Sequence, residues 1–168
     1  REVNMVNEIS VLELKKVYRV SGFDIERDVG GLDKINLYRC NECDIMYFDP
    51  ANPGSREFYE QFQDKDWYYP NEKDEFELAG KLIKKTDSVL EIGCGAGNFA
   101  RYTNQEKYVG LEYTEKAVNL ARAKGLQIKM QSIEAFSNEN KGCFDVVCFY
   151  QVLEHVPDPR GFLNDAIN

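Results

Sequence analysis

Basic runs, long apolar runs and histidines are all scarce in this chain. No five consecutive residues are Lys or Arg, and the net charge is −8. That argues against nucleic acid or an anionic membrane as a general partner. No apolar stretch approaches the roughly 18 residues that a membrane-spanning helix needs. The opening "REVNMVNEISVLELKK" has neither the apolar core nor the small-residue cleavage site of a secretion signal. Cysteine is present but in no framework: Cys40, Cys43, Cys94, Cys143 and Cys148 make an odd count at irregular spacing. In an acidic chain this fits a reduced, cytoplasmic setting. Histidine is reduced to His155. Repeats and low-complexity segments are missing too. The chain starts at Arg1 instead of Met, as expected of an excised or processed piece.

What is present is a core: 168 residues, 43% of them apolar, are enough for one domain and a small appendage. The pattern changes near Lys85. Before it, "VNEISVLELKKV" fits a short helix or a strand pair, and "KVYRVSGFDIERD" alternates in a way that predicts strand, turn, strand. "INLYRC" and "IMYFD" predict a hairpin around Cys40 and Cys43. Ser55 is placed to cap a helix over "REFYEQF". "DKDWYYP" reads as an aromatic loop. "EKDEFELAGKLIKK" reads as an amphipathic helix with Phe76, Leu78, Ala79, Leu82 and Ile83 on one side.

After Lys85, strands alternate with helices. "SVLEI" is a strand, followed by glycines at 93, 95 and 97 and a helix from about Asn98. "KYVGLE" is a second strand, and "TEKAVNLARAK" a helix capped by Thr114 and ended by Gly125. "LQIKMQ" is a third strand and "CFDVVCFY" a fourth. A last helix has Asp158 as its cap and Pro159 at its first position. This order predicts an α/β fold with a parallel, Rossmann-like sheet, which binds ligands beyond the carboxyl ends of its strands.

A strand, a glycine turn and a helix let backbone approach a ligand closely, and the helix start offers unpaired N–H groups. Glu112 ends the second strand, 17 residues after Gly95. A carboxylate there accepts hydrogen bonds from ribose hydroxyls and repels a 2′-phosphate. The glycine spacing is G-x-G-x-G, not the dinucleotide G-x-G-x-x-G. Glu91, beside the turn, is a poor neighbour for a pyrophosphate and a good one for an ammonium group. S-adenosyl-L-methionine carries a ribose, an ammonium and a sulfonium, and suits the two carboxylates.

These residues also carry a resemblance. "VLEIGCGAGNF", "VGLEYTEKAV", "IKMQSIEAF" and "FDVVCFYQVLEHVPDP" resemble, in order and spacing, the four motifs of class I S-adenosylmethionine-dependent methyltransferases. The third departs from the family in having Ser132 where Asp is common. The resemblance implies a small-molecule methyl acceptor and assigns the cofactor site residue by residue. Gly93, Cys94, Gly95 and Gly97 form the turn. Glu91 organises it and meets the ammonium group, Glu112 and Tyr113 lie at the ribose, and Ser132 and Ile133 flank the adenine. The backbone of Tyr150 and Gln151 runs near the methionine end, and Tyr69 reaches the methionine carboxylate. His155, oriented by Glu154, is the candidate general base. Quinone O-methyltransferase relatives have a further carboxylate before this pair, where Gln151 stands here, so no metal is expected at that place. The alternatives are a cofactor-binding scaffold without catalysis and, further off, a nicotinamide-dependent oxidoreductase.

The N-terminal part resembles a small zinc-binding module found in a subset of these enzymes. "YRCNECDIMYFDP" copies its second half, while Tyr18 and Ser21 replace the two cysteines of its first. A closed zinc site needs four soft ligands, so a degenerate, metal-free module is expected. The expected organisation is therefore a β-rich module over 1–54, a helical linker over 55–85 and an S-adenosylmethionine-binding domain over 86–168. The family sheet has seven strands and needs about 140 residues at ordinary element lengths. Ser88 to Asn168 supplies 81. A sheet truncated after its fourth strand is expected, with that strand an open edge prone to self-association.

Overall fold

The computed structural model describes residues 2–51, 54–63, 65 and 67–168. Residues 1–61 and 62–168 form two compact units. The first holds β1 (Val3–Ser10), α1 (Val11–Val20), α2 (Glu26–Val29), β2 (Lys34–Cys40), β3 (Met46–Asp49) and α3 (Arg56–Glu60). Its strands form an antiparallel sheet in the order β1-β2-β3. The hairpin around Cys40 and Cys43 is present, closed by a bond from the Cys40 amide to the Ile45 carbonyl of 2.9 Å. Ser55 caps α3 by accepting from the Phe58 amide at 3.1 Å.

The strand–turn–strand expected over "KVYRVSGFDIERD" is instead the end of α1, a turn and α2. Val11, Leu14 and Tyr18 recur at helical spacing and pack with Ile25 and Val29. Val17 and Val20, which made the stretch look alternating, are 63% and 90% exposed. Burial of one helical stripe outweighs a local two-residue period. Tyr18 therefore sits on a helix, its ring 6.0 Å from that of Phe58, and the first half of the zinc-module layout is replaced by that helix. Cys40 is buried and Cys43 exposed. The amides of Glu42 and Cys43 hold the Cys40 thiol below its usual range.

The second unit holds α4 (Asp74–Gly80), β4 (Val89–Ile92), β5 (Tyr108–Leu111), α5 (Glu115–Ala123), β6 (Gln127–Lys129), α6 (Ile133–Glu139), β7 (Val146–Phe149) and α7 (Pro159–Ile167). Its four strands are parallel, in the order β6-β5-β4-β7. Alternate residues feed two apolar layers, as the two-residue period of a strand requires. Val89, Tyr108 and Ile128 point to one layer, with Phe76, Phe99, Val118 and Ala121. Leu90, Ile92 and Leu111 point to the other, with Ile133, Phe136 and Phe162. This is the Rossmann-like arrangement expected, with β7 and β6 at its edges. No described helix is long and apolar enough to cross a membrane.

Two local expectations are corrected. In α4, Phe76 is buried and Ala79 and Ile83 pack beside it, but Leu78 and Leu82 are 63% and 84% exposed. The helix ends at Gly80, and a Cβ there would come within 2.8 Å of the Tyr102 side chain. After the glycine turn there is one 3-10 stretch, Asn98–Tyr102, instead of an α-helix.

One carboxyl group lies inside the first of these layers. Glu91 is 2% exposed and accepts a hydrogen bond from the Tyr108 hydroxyl. Burial pushes its carboxyl up to about 8, an effect that the Tyr108 bond and the Lys73 charge only partly offset. Between its ordinary value of 4.5 and about 8, the folded chain keeps a proton that the unfolded chain has released. The contribution of this group to stability is therefore greatest below about 4.5 and declines as pH rises towards 8. Glu91→Gln removes that decline. Urea unfolding at pH 5 and pH 8 should show the variant gaining on the wild type by on the order of 3 kcal/mol between the two. An equal difference at both pH values would contradict the buried, protonated state.

Candidate cofactor site

The motif residues meet at the carboxyl ends of β4, β5, β6 and β7. At the end of β4 the chain reverses through Gly93, Gly95 and Gly97, with φ of +69°, +52° and +71°. Side chains rarely adopt this conformation. Close packing adds a second demand. A Cβ on Gly93 would lie 2.6 Å from the Val152 side chain, and one on Gly95 would lie 2.9 Å from the Tyr69 ring. Gly93 is exposed, Cys94 is buried, and the Cys94 thiol is pushed far above its usual range by burial.

Glu112 ties this turn to the end of β5. Its Oε2 accepts from the Gly95 amide at 2.9 Å. Its Oε1 accepts from the Tyr113 amide at 2.8 Å and from the amide and hydroxyl of Thr114 at 2.9 Å each. Thr114 precedes α5 as expected, but its side chain makes no capping bond and donates to Glu112 instead. Most of the turn's amides are committed as well. Gly93 and Cys94 donate to the Leu111 carbonyl, and Gly97 donates to that of Cys94. With these donors engaged and the Glu112 carboxylate alongside, the turn offers little to a pyrophosphate; Glu91 is sealed in the core and held towards its neutral form, so it does not face the cleft as a second charge. It suits a ligand that brings hydroxyl donors and positive charge.

The ends of β5 and β6 supply a second wall. Tyr113 is exposed. Ser132 caps α6 by accepting from the Ala135 amide at 3.2 Å, and Ile133 is buried beneath it. At the end of β7, Tyr150 turns its ring into the core, 4.8 Å from both Phe76 and Phe99. Burial pushes its phenol far above the usual range. Gln151 adopts φ +55° and accepts from Lys73 Nζ at 3.0 Å. Glu154 and His155 follow on a 3-10 turn, Leu153–His155, with Nε2 to Oε1 3.9 Å apart and both side chains half-exposed. Among the described residues, no group of three or more His, Cys, Asp or Glu side chains could hold a metal ion.

Tyr69 lies over the turn, and burial pushes its phenol far above the usual range. Sequence reasoning missed Thr114 as a partner of Glu112. It also missed Asn98, Lys73 and Lys124, whose partners are distant in sequence.

The glycine turn, the β5 carboxylate and the loop after β7 lie inside one family match. A family described as "Methyltransferase domain" matches residues 68–168. The ubiquinone biosynthesis O-methyltransferase of Bordetella avium is 35% identical over 92 residues, 50% of this chain and 37% of that protein. The protein of the same name from Azoarcus sp. is 38% identical over 91 residues, 49% of this chain and 36% of that one. The chain thus spans well under half the length of these relatives. A methyltransferase structure from Archaeoglobus fulgidus aligns with TM-score 0.48 and 20% identity, covering 66% of this chain and 52% of that one. With the family match covering more than half of its length, the chain belongs to the methyltransferase-domain family.

Proposed function

We propose that this chain carries the cofactor site of an enzyme that moves a methyl group from S-adenosyl-L-methionine to a small-molecule acceptor. The observation that carries the reading is the Glu112 carboxylate, held at the end of β5 and bonded to the Gly95 amide of the turn. The residues fit the group. A carboxylate has about four acceptor positions, and four protein donors reach Glu112, three of them on Oε1. Oε2 therefore keeps room for a ribose hydroxyl. Gly93 and Gly95 leave the backbone bare for the sugar and methionine portions. Tyr113, Ser132 and Ile133 are the proposed adenine wall, and the Tyr150 and Gln151 backbone the methionine end. Glu91 supports the turn from within the core. The proposed domain spans 86–168, preceded by the linker 55–85 and the module 1–54.

The cofactor supplies an activated methyl group on a sulfonium. The protein's task is then to position the acceptor and to accept a proton where the nucleophile carries one. His155, oriented by Glu154, is the proposed base. The names of the relatives favour an oxygen nucleophile. No nucleic-acid or membrane partner is proposed, and the cytoplasm is the proposed location. β7 is bonded to β4 on one side, and β7 residues are half-buried. We assign its other edge to self-association.

Two measurements test these assignments. Calorimetry with S-adenosylhomocysteine should give binding that Glu112→Ala weakens by roughly 1.5–3 kcal/mol, the loss of a charged hydrogen-bond acceptor. NAD should give no heat. An unchanged dissociation constant in the variant would remove the ribose assignment, and tighter binding of NAD would overturn the cofactor. Light scattering should show dimers or larger species as concentration rises, with slower amide exchange along β7. A monomer at all concentrations would refute the edge assignment.

A further inference from the structure

The segment Trp67–Lys73 is bonded beyond the carboxyl ends of two strands, β4 and β7. After β4, Asn98 Nδ2 donates to the carbonyls of Tyr69 at 3.3 Å and Pro70 at 3.0 Å. The Tyr69 ring itself packs over the turn, where a Cβ on Gly95 would lie 2.9 Å from it. After β7, Gln151 accepts from Lys73 at 3.0 Å. The Asn98 amide is engaged at both ends. Its Oδ1 accepts from Lys124 Nζ at 2.6 Å, and the same ammonium donates to the Ala96 carbonyl within the turn at 2.7 Å. Arg101 adds a bond from Nε to the Asn98 carbonyl at 3.2 Å, and its guanidinium reaches the Asn71 carbonyl.

This pattern fixes the residue type. One side chain must give hydrogens to two strap carbonyls and take one from an ammonium. A carboxamide does both in a single orientation. Aspartate keeps the bond to Lys124 but turns an oxygen towards two carbonyl oxygens. Alanine does neither.

We propose that Asn98 is a positioning residue: it holds the strap Trp67–Lys73, and with it the Tyr69 ring, over the glycine turn, with Lys124 setting the orientation of its amide. Asn98 need touch no ligand to do this. Its effect is on how long the strap stays down and so on how fast a bound nucleoside leaves. The kinetic part rests on the cofactor site proposed above.

Trp67 is the chain's one tryptophan, and it is 62% exposed on the strap itself. Its fluorescence anisotropy in the ligand-free full chain reports strap mobility without reference to any cofactor. Asn98→Asp and Asn98→Ala should lower that anisotropy while the circular dichroism spectrum stays that of the wild type. Lys124→Met, at an exposed position just beyond α5, should lower it less. Stopped-flow release of S-adenosylhomocysteine should be roughly tenfold faster in Asn98→Asp, an effect of about 1.4 kcal/mol from losing both bonds of its amide to the strap. Wild-type anisotropy and release rate in folded Asn98 variants would overturn the proposal. If those variants do not fold, unchanged anisotropy in Lys124→Met would overturn it. If the wild type binds no S-adenosylhomocysteine while the variants still lower the anisotropy, the cofactor reading fails and the strap assignment stands.

Discussion

The bond between Glu112 and the Gly95 amide is the constraint on which the second unit's site depends. Parallel strands leave their carboxyl ends joined only through the loops that follow them. Without a cross-link, a turn of three glycines would keep much of its conformational freedom, because glycine loses more backbone entropy on ordering than any other residue. Glu112 supplies the link by spending its two oxygens on different loops, one on the turn after β4 and one on the start of α5. A neutral side chain of the same size would make weaker bonds to the same amides. The negative charge also sets what the cleft accepts, so the order of the turn and its preference for donors and cations have one source.

Glu91 shows the opposite use of a carboxyl group. Glu112 remains at the cleft with several hydrogen-bond donors, whereas Glu91 is sealed in the core and bonded to the Tyr108 hydroxyl. Desolvation then outweighs hydrogen bonding, and the group leans towards its neutral form. Its neighbours are affected in turn: the Cys94 and Cys148 thiols are both pushed far up, by burial first and by Glu91 second. These cysteines are poor nucleophiles there, and they pack as small apolar side chains would.

How much was legible follows from how local each signal was. β4, β5, β6 and β7 were readable because a parallel strand buried on both faces leaves a short apolar run bounded by turn residues. The positions of Glu112, Ser132 and Tyr150 beyond the strand ends came with them, since motif spacing sets position whatever the packing. Within residues 1–61 the signals conflicted. "KVYRV" alternates, yet Val17 and Val20 face solvent because Val11, Leu14 and Tyr18 form the stripe that reaches Ile25 and Val29. Only the partner surface decides between those periods. Leu78 and Leu82 misled in the same way, fitting a helical stripe that ends at Gly80. The Asn98 network was illegible for a different reason: its partners lie 26 and 28 residues away, and no periodicity connects them.

The same distinction separates what fixes the turn from what covers it. The turn is held by bonds from Glu112, Leu111 and Cys94, all within the strand–turn framework that motif order defines. The cover, a segment that precedes the sheet in sequence, is held by bonds from Asn98 to its Tyr69 and Pro70 carbonyls and from its own Lys73 to Gln151. Its anchors are single hydrogen bonds, each worth about 1 kcal/mol net, whereas the sheet beneath is held by two continuous apolar layers. A segment fastened by few bonds opens at a lower free energy than the core it lies on. Local opening of the strap can therefore occur while the glycine turn stays in place. A nucleoside site with a rigid floor and a separately fastened cover can exchange its ligand without disturbing the strands that position it.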